Sequence, residues 1–413
     1  MNHPIFRRDT CRLCGDRDVE LVLQLTPTPP VDAYVPPERL NILQEVYPLD
    51  LFLCHACGHA QLLDVVSPEV LYRDYIYVTS SSPGLVEHFQ KYADGVLRLL
   101  NPSEGSLVVD IGSNDGTLLR FFKERGMRVL GIDPAREIAR RATESGIETV
   151  ADFFTVELAY GIRSNYGPAT IITANNVFAH ADDLGGIAEG VRTLLAPDGF
   201  FVFEVSYLAD MIEGMVFDFI YHEHLCYHAV KPLQCFLRSH GMELIDVQRV
   251  PVKGGSLRCI AQPIGGPKVP SSSVDEFLAM ETRIGLDRPK IFKSYTAKIE
   301  NVKSRLRRLV ADLQTGEKIF AGYGASATST ILIYHFGLGS MMDYIVDDNI
   351  AKQNTYSPGY HIPVLSPQVI YERRPDYVIV LAWRYFEPIR KKHQRYLDEG
   401  GHFIVPLPAV SIT

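Results

Sequence analysis

One tryptophan and seven cysteines are all that 413 residues hold of those two types. Cysteine this sparse excludes a disulfide-stapled scaffold, in which small domains are dense with it. No apolar run approaches the roughly 20 residues that a membrane-crossing helix needs. The opening stretch MNHPIFRRDT carries no apolar signal core. Both absences predict a cytoplasmic chain with no membrane partner, whose thiols stay reduced. Long Lys/Arg runs are also missing. With a net charge of -8 and a pI of about 5.9, the chain lacks the basic footprint of a nucleic-acid binder. The short basic clusters KSRLRRLV (303–310) and RKKHQRY (390–396) have helical spacing among polar residues and read as solvated helix faces.

What is present is ordinary globular material, 46% hydrophobic and 22% charged, in a chain long enough for two or three domains. Four of the cysteines come as two Cys-x-x-Cys units, Cys11 with Cys14 and Cys54 with Cys57. Four thiolates on two tight turns suit tetrahedral Zn²⁺, and a site closed by four protein ligands is structural rather than catalytic. His55 and His59 stand near enough in sequence to replace one cysteine. Between the pairs runs TPTPPVDAYVPP (26–37), too rich in proline for regular helix. Cys226, Cys235 and Cys259 are isolated and read as small buried hydrophobes.

The middle of the chain alternates strands and helices. SLVVDIGSNDGTLLRFFKERG (106–126) reads as a buried strand, a tight turn at Gly112 and Gly116, and an amphipathic helix. RVLGIDP follows, a second strand ending in Asp133, where a carboxylate is placed to accept both hydroxyls of a ribose. Further strands are expected at ATIITANNVFAH (169–180) and GFFVFEVSY (199–207). A closing hairpin is expected around Lys253-Gly254-Gly255. The dinucleotide fingerprint Gly-x-Gly-x-x-Gly is missing. VVDIGSNDG instead resembles motif I of class I S-adenosylmethionine-dependent methyltransferases. That resemblance implies a cofactor pocket lined by Asp110, Gly112, Asn114 and Gly116. Asp133 would hold the ribose, Asp152 and Phe153 would lie at the adenine, and Asn175 and Asn176 would stand on the exit of the fourth strand. Some other Rossmann-like domain, with Asp133 an ordinary loop carboxylate, is the bland alternative.

FIYHEHLCYH (219–228) concentrates tyrosines, histidines and a glutamate. Methyl transfer to oxygen or nitrogen needs mostly alignment. Transfer to carbon first requires a carbanion, hence a positioned base and a group that stabilises an enolate oxygen. Histidine and tyrosine supply both. A second metal site or a polar loop would also fit the stretch, although only His224 and His228 have the spacing that shares a helix face.

The paired cysteines, DIGSNDG, ANNVFAH and YHEHLCYH, taken in order over essentially the whole chain, resemble the sugar C-methyltransferases. These methylate ring carbon of nucleotide-linked 4-keto-6-deoxy sugars. The resemblance implies His224 as base, with His222 as its rival. Tyr221 and Glu223 would flank the sugar and His180 would stand opposite. Tyr75 would reach the site from DYIYVTSSS, with Tyr77 as the alternative. It also implies methylation at carbon 3, dTDP in preference to GDP as carrier, and a monomer or small homo-oligomer.

After two polar, amphipathic helices read as a connector (about 273–317), KIFAGYGASATSTILIYHFG begins a second doubly wound unit. Gly322 and Gly324 open a helix suited to phosphate. Asp348, Lys352, Trp383 and Tyr385 lie at strand ends, the usual ligand edge. The expected architecture is α/β. It comprises a zinc-binding lobe (1–70), a class I methyltransferase domain (71–270), and a connector with a Rossmann-like nucleotide-sugar domain (271–413). Two further readings stay open. One is an NAD(P)-dependent dehydrogenase or epimerase, although GYGASA lacks a third glycine in register. The other is a non-catalytic zinc and nucleotide-binding module. An O- or N-methyltransferase is the alternative within the same class.

Overall fold

The computed structural model describes residues 5–67, 71, 78–314, 316 and 318–413. The N-terminal part forms β1 (Ile5–Arg7), β2 (Val19–Thr28), β3 (Tyr47–Cys54), β4 (Ala60–Leu62) and β5 (Asp64–Val66). Strands β2, β3 and β4 make an antiparallel meander, and β1 pairs with β5. In β3 the residues Leu49, Leu51 and Leu53 alternate into the core, the period-two pattern of a strand with one covered face. Between β2 and β3 the proline-rich segment leaves the meander. Val35 makes an isolated antiparallel bridge with Tyr356, far along the chain.

The middle sheet contains β6 (Leu107–Ile111), β7 (Arg128–Ile132), β8 (Thr149–Val150), β9 (Ala169–Asn175) and β10 (Leu195–Ser206). β11 (Cys226–Tyr227) leaves it to pair with β4 of the lobe, and β12 (Met242–Val250) and β13 (Ser256–Pro263) close it. The order is β12-β13-β10-β9-β6-β7-β8, parallel throughout except for β13. Every residue of β6 is buried, as expected of a central parallel strand covered on both faces. Strand order reverses between β6 and β9, so a crevice opens at their C-terminal ends, where such sheets bind ligands.

The C-terminal sheet contains β14 (Phe320–Tyr323), β15 (Tyr344–Val346), β16 (Val364–Leu365), β17 (Tyr377–Val380), β18 (His402–Val405) and β19 (Ser411–Ile412), in the order β16-β15-β14-β17-β18-β19. All but β19 run parallel, and a second switch point lies between β14 and β17. The protein is thus an α/β molecule with two doubly wound sheets and a small β lobe.

The helices expected as a connector do more than connect. Helix Pro289–Leu313 buries Phe292, Tyr295, Ile299, Val302, Leu306 and Val310, a stripe at spacings of three and four. The Tyr295 hydroxyl donates to the carbonyl of Met211 in the middle unit, 3.0 Å away. Abundant Lys and Arg outside the stripe hide it in the sequence. One continuous apolar core joins Leu23 and Leu51 of the lobe, Ile111 and Phe201 of the middle sheet, Phe292 of this helix and Leu332 of the C-terminal unit. Among the described residues, no helix is long and apolar enough to cross a membrane.

Leu306 is fully buried in this shared core, whereas Val269 is 89% exposed. Leu306→Ala is expected to cost about 2–5 kcal/mol through lost burial and a cavity, and Val269→Ala within about 0.5 kcal/mol. Urea unfolding of the two variants checks the contrast, and equal midpoints would contradict it.

Candidate active site

The thiols of Cys11, Cys14, Cys54 and Cys57 lie within 4.8 Å of one another, with Cys11–Cys57 and Cys14–Cys54 both at 3.6 Å. Sulfurs on a tetrahedral Zn²⁺, with Zn–S bonds of about 2.3 Å, are about 3.8 Å apart. Disulfide sulfurs would be at about 2.05 Å. Neither candidate histidine joins the quartet. His55 pairs with Glu20 at 3.0 Å, and buried His59 packs its ring on His228, 5.5 Å between centroids. Among the described residues this is the only group of three or more potential metal ligands, so the histidine-rich motif forms no second metal cluster.

The crevice of the middle sheet collects the residues expected at the cofactor. Asp133, just past β7, accepts backbone N–H bonds from Asn114 (2.8 Å) and Ala135 (2.9 Å). Those bonds orient the carboxylate, while burial raises its pKa. Asp110 is buried at the end of β6 and accepts from the Thr173 hydroxyl at 2.6 Å. Burial first, with the charge of Asp133 adding, pushes its carboxyl up to about 7. Gly112 turns with φ +70°, and a Cβ there would meet Val177 at 2.3 Å, so only glycine fits beneath that side chain. Gly116, also at positive φ, caps helix Thr117–Glu124. The Asn114 side-chain oxygen accepts from the backbone of Thr79 at 2.9 Å, drawing the segment before helix Pro83–Leu100 over the turn. Asp152 and Phe153 follow β8 on the rim, with Phe153 exposed. Asn175 ends β9, and Asn176 takes a left-handed turn after it, φ +56°.

The motif 219–228 serves two purposes. Tyr221 and His224 pack beside His180 on the loop after β9, with Glu223 half-buried between them in sequence, whereas His222, Tyr227 and His228 fasten the lobe to the middle sheet. His222 shares a hydrogen bond with the carbonyl of Tyr47 at 3.2 Å, and the His228 ring stacks on Phe178, 5.8 Å between centroids. The fasteners explain why one stretch holds so many rings. On the crevice side, the His224 ring lies 4.1 Å from that of Tyr221 and 4.9 Å from that of His180, measured between centroids. The two loops meet because the Ala179 carbonyl accepts from the N–H groups of Leu225 (2.9 Å) and Cys226 (3.1 Å). The lobe holds the same loop from its other side. Arg8 and Arg12 both bind the Asp182 carboxylate at 3.0 Å.

His224 Nδ1 is 2.9 Å from the carbonyl of Phe219. A carbonyl only accepts, so Nδ1 carries the hydrogen and Nε2 keeps its lone pair. Burial pulls the His224 pKa down to about 4, assisted by the Lys253 charge and opposed by the Phe219 bond. His180 is likewise held well below the usual value by burial, and then by the charges of His224 and Lys253. Half-buried Glu223 is pushed up to about 7, by burial first and then by Asp32, against the pull of Lys253 and Lys352. Tyr75 and Tyr77 lie outside the described residues.

Facing this cluster is the ligand edge of the C-terminal sheet. Gly322 lies within β14, and Gly324 follows it at φ +105°. Helix Ala327–Phe336 then starts from a Ser326–Ser329 capping box. Lys352 Nζ donates to the Ala325 carbonyl (2.7 Å) and to Asp32 (2.6 Å), and stands over the Tyr34 ring at 4.5 Å. Asp32 and Tyr34 belong to the proline-rich excursion, which therefore completes the C-terminal edge. Nothing in its composition says where it docks, although it is longer than a bare zinc ribbon requires. Asp348 is held by the Tyr323 hydroxyl (3.0 Å) and by Lys392. Trp383 gives its indole N–H to buried Asp218 at 2.9 Å, bracing the two units, and Arg384 lies over Phe219 at 4.3 Å. Tyr385 is exposed beside them.

Residues 11–72 match a family model described as "Putative zinc binding domain". Residues 86–247 match one described as "Methyltransferase domain", and 251–408 one described as "C-methyltransferase C-terminal domain". The C-methyltransferase NovU of Streptomyces niveus is 34% identical over 401 residues, spanning 97% of this chain and 96% of its own. The chain belongs to the S-adenosylmethionine-dependent C-methyltransferases. A stretch of 123 residues is 34% identical to the nocamycin O-methyltransferase of Saccharothrix syringae, covering 28% of this chain and 42% of that one. The solved 1,6-didemethyltoxoflavin-N1-methyltransferase of Burkholderia thailandensis is 22% identical over 46% of this chain and 83% of its own, at a TM-score of 0.34. That likeness is too distant to bear on chemistry.

A C-methyltransferase must seat S-adenosylmethionine, and the crevice fits it. The Asn175 amide is shut off from solvent, with the Tyr92 hydroxyl a polar neighbour but no hydrogen bond of normal geometry among the described residues. An amide in that position needs a polar partner. Asp133 stands at the second strand end, where a ribose is gripped. The cysteine quartet likewise fits zinc in its closed, structural form. The methyltransferase is therefore expected to purify with one zinc per chain by elemental analysis. Cys54→Ser should lower that content and destabilise the lobe. Full occupancy in the variant would exclude this quartet as the site.

Proposed function

We propose that this C-methyltransferase methylates a ring carbon beside the ketone of a nucleotide-linked 4-keto-6-deoxy sugar, through an enolate. Carbon 3 is the favoured position and dTDP the favoured carrier over GDP. The observation that carries the reading is the fixed tautomer of His224, whose lone pair at Nε2 is available beside His180 and Tyr221. A methyltransferase acting on oxygen or nitrogen needs mostly alignment, because those atoms carry lone pairs, whereas one acting on carbon cannot proceed without such a base.

In this reading His224 Nε2 takes the proton from the carbon beside the ketone, and the C–H electron pair enters the enolate. The hydrogen on Nδ1 stays with the Phe219 carbonyl, so the imidazolium that forms keeps its orientation. Tyr221 or His180 donates toward the enolate oxygen. Glu223 lies beside the sugar, where a carboxyl raised to about 7 can exchange a proton with a hydroxyl near neutrality. S-adenosylmethionine, when bound, supplies the electrophilic methyl group that the carbanion accepts. On the other side of the cleft, Lys352 and the N-terminus of helix Ala327–Phe336 suit a diphosphate. For that, Lys352 would exchange Asp32 for the incoming phosphate. Asp348 and Tyr385 border the same edge. Trp383 reaches it from its brace on Asp218.

Incubation with S-adenosylmethionine and a panel of dTDP- and GDP-linked 4-keto-6-deoxy sugars, read by mass spectrometry, tests the substrate class. A gain of one methyl on a ring carbon is expected, and none across the panel would refute it. His224→Gln should retain cofactor binding and lose about 10²–10⁴-fold in turnover, the contribution of a positioned base. Because the wild-type imidazole titrates near 4, its base form persists as pH falls below neutrality. The acid limb belonging to His224 should therefore lie near pH 4 rather than near 6.5. A limb near 6.5 that disappears in His224→Gln would contradict the assignment.

A further inference from the structure

The hairpin Val252-Lys253-Gly254-Gly255 between β12 and β13 is built for more than reversing the chain. Lys253, Gly254 and Gly255 take φ values of +51°, +87° and +112° in succession. Glycine adopts this region freely, whereas a lysine there is strained. Strain of this kind at a cleft points to use of the side chain. The loop is also tightly seated. Gly255 accepts a hydrogen bond from the Tyr207 N–H at 3.2 Å, and a Cβ on Gly255 would strike Asp210 at 2.3 Å. The hairpin is thereby pressed against residues 207–216, which lead directly into the histidine motif. Solvent reaches Lys253, yet its surroundings are those of the cleft. A Cβ on Gly254 would come 3.2 Å from Val216 and 3.7 Å from Arg384, whose guanidinium lies over Phe219, so the hairpin borders the loop that carries Glu223 and His224. In keeping with that, the Lys253 charge lowers the pKa of His180 and His224 and opposes the rise at Glu223.

Building on the enolate reading above, we infer that Lys253 is a catalytic residue. Its ammonium stands at the ketone oxygen of the sugar and stabilises the negative charge that forms there. As His224 removes the proton, the C–H pair becomes the carbon–carbon π bond and the carbonyl π pair moves to oxygen. Lys253 remains protonated throughout and donates one hydrogen bond. The protein walls around the exposed Lys253 lower its pKa, and Glu204 and Glu223 oppose that by favouring the charged form. Glu204 is itself held by Arg258 (2.6 Å) and shares a hydrogen bond with His88 (2.7 Å), and Glu223 lies in the field of Asp32 and Lys352. The cleft therefore carries one cation aimed at the reacting ketone, separate from the lysine at the diphosphate seat.

Three variants test this. Lys253→Gly removes the charge and relieves the left-handed strain, so its melting temperature should equal or exceed that of the wild type. Lys253→Met removes the charge alone, and Lys253→Arg keeps it. Turnover and solvent deuterium exchange at the carbon beside the ketone, the latter with S-adenosylhomocysteine bound, should both fall about 10²–10³-fold in the Gly and Met variants. This is the loss typical of one oxyanion donor. Affinity for S-adenosylmethionine should be unchanged, and Lys253→Arg should recover part of the rate. Removing the cation should also move the acid limb of His224 upward, since protonated imidazole then meets less repulsion. Turnover and exchange within about threefold of wild type in Lys253→Gly would overturn the proposal. So would a loss confined to cofactor affinity. Wild-type enzyme that methylates an oxygen or nitrogen of the substrate would instead refute the enolate reading itself.

Discussion

On the enolate reading proposed above, the chemistry of this protein depends on the hydrogen bond from His224 Nδ1 to the Phe219 carbonyl. A free imidazole divides its hydrogen between two nitrogens and turns about its bond to the chain. Here one nitrogen is committed to a backbone acceptor five residues earlier in the chain, and the other is left as a lone pair of fixed direction. Burial then keeps the ring neutral. Neither effect alone makes a base that is ready near neutral pH. Together they do, and the surrounding structure keeps Phe219 where it is. Asp218, next to Phe219, is gripped by Trp383 from the C-terminal unit, and Arg384 lies over the Phe219 ring.

The zinc lobe belongs to the same arrangement. Four thiolates fix the turn at Cys11, and the neighbouring Arg12 reaches Asp182, two residues beyond His180. β4 of the lobe pairs with β11 inside the histidine motif. His180 and His224 are therefore both positioned in part by the lobe. This explains why a closed metal site accompanies the methyltransferase sheet. It stiffens the small β lobe, and that lobe holds two loops in register. The proline-rich excursion extends the reach to the third unit through Asp32 and Lys352. Proline fixes much of its backbone in advance, so ordering it costs less entropy than ordering a flexible loop of that length.

Most of the architecture was legible in the sequence. The strand-turn-helix units, the closing hairpin and the cysteine quartet each follow from local pattern, and local pattern is what periodicity and spacing report. The pairing of His180 with His224 came from family resemblance. Its physical cause, the Ala179 carbonyl shared by two loops, is a tertiary contact that no spacing encodes. The motif was also read too uniformly. Half of its rings pack the lobe interface, and residue type does not reveal which side of a loop a ring occupies. Asp32, Asp218 and Arg384 were missed because each matters only through a partner more than a hundred residues away. The helix Pro289–Leu313 was undervalued because its charges outnumber its apolar stripe. Lys253 did leave a local trace, a lysine preceding two glycines in a hairpin.

The most direct test of the central claim is the tautomer of His224 itself. Nitrogen-15 NMR of histidine-labelled protein near pH 7, with the resonance assigned by difference against His224→Gln, distinguishes the three states of the ring. The account predicts a neutral imidazole protonated at Nδ1 and bare at Nε2. A ring protonated at Nε2, or at both nitrogens, would contradict it.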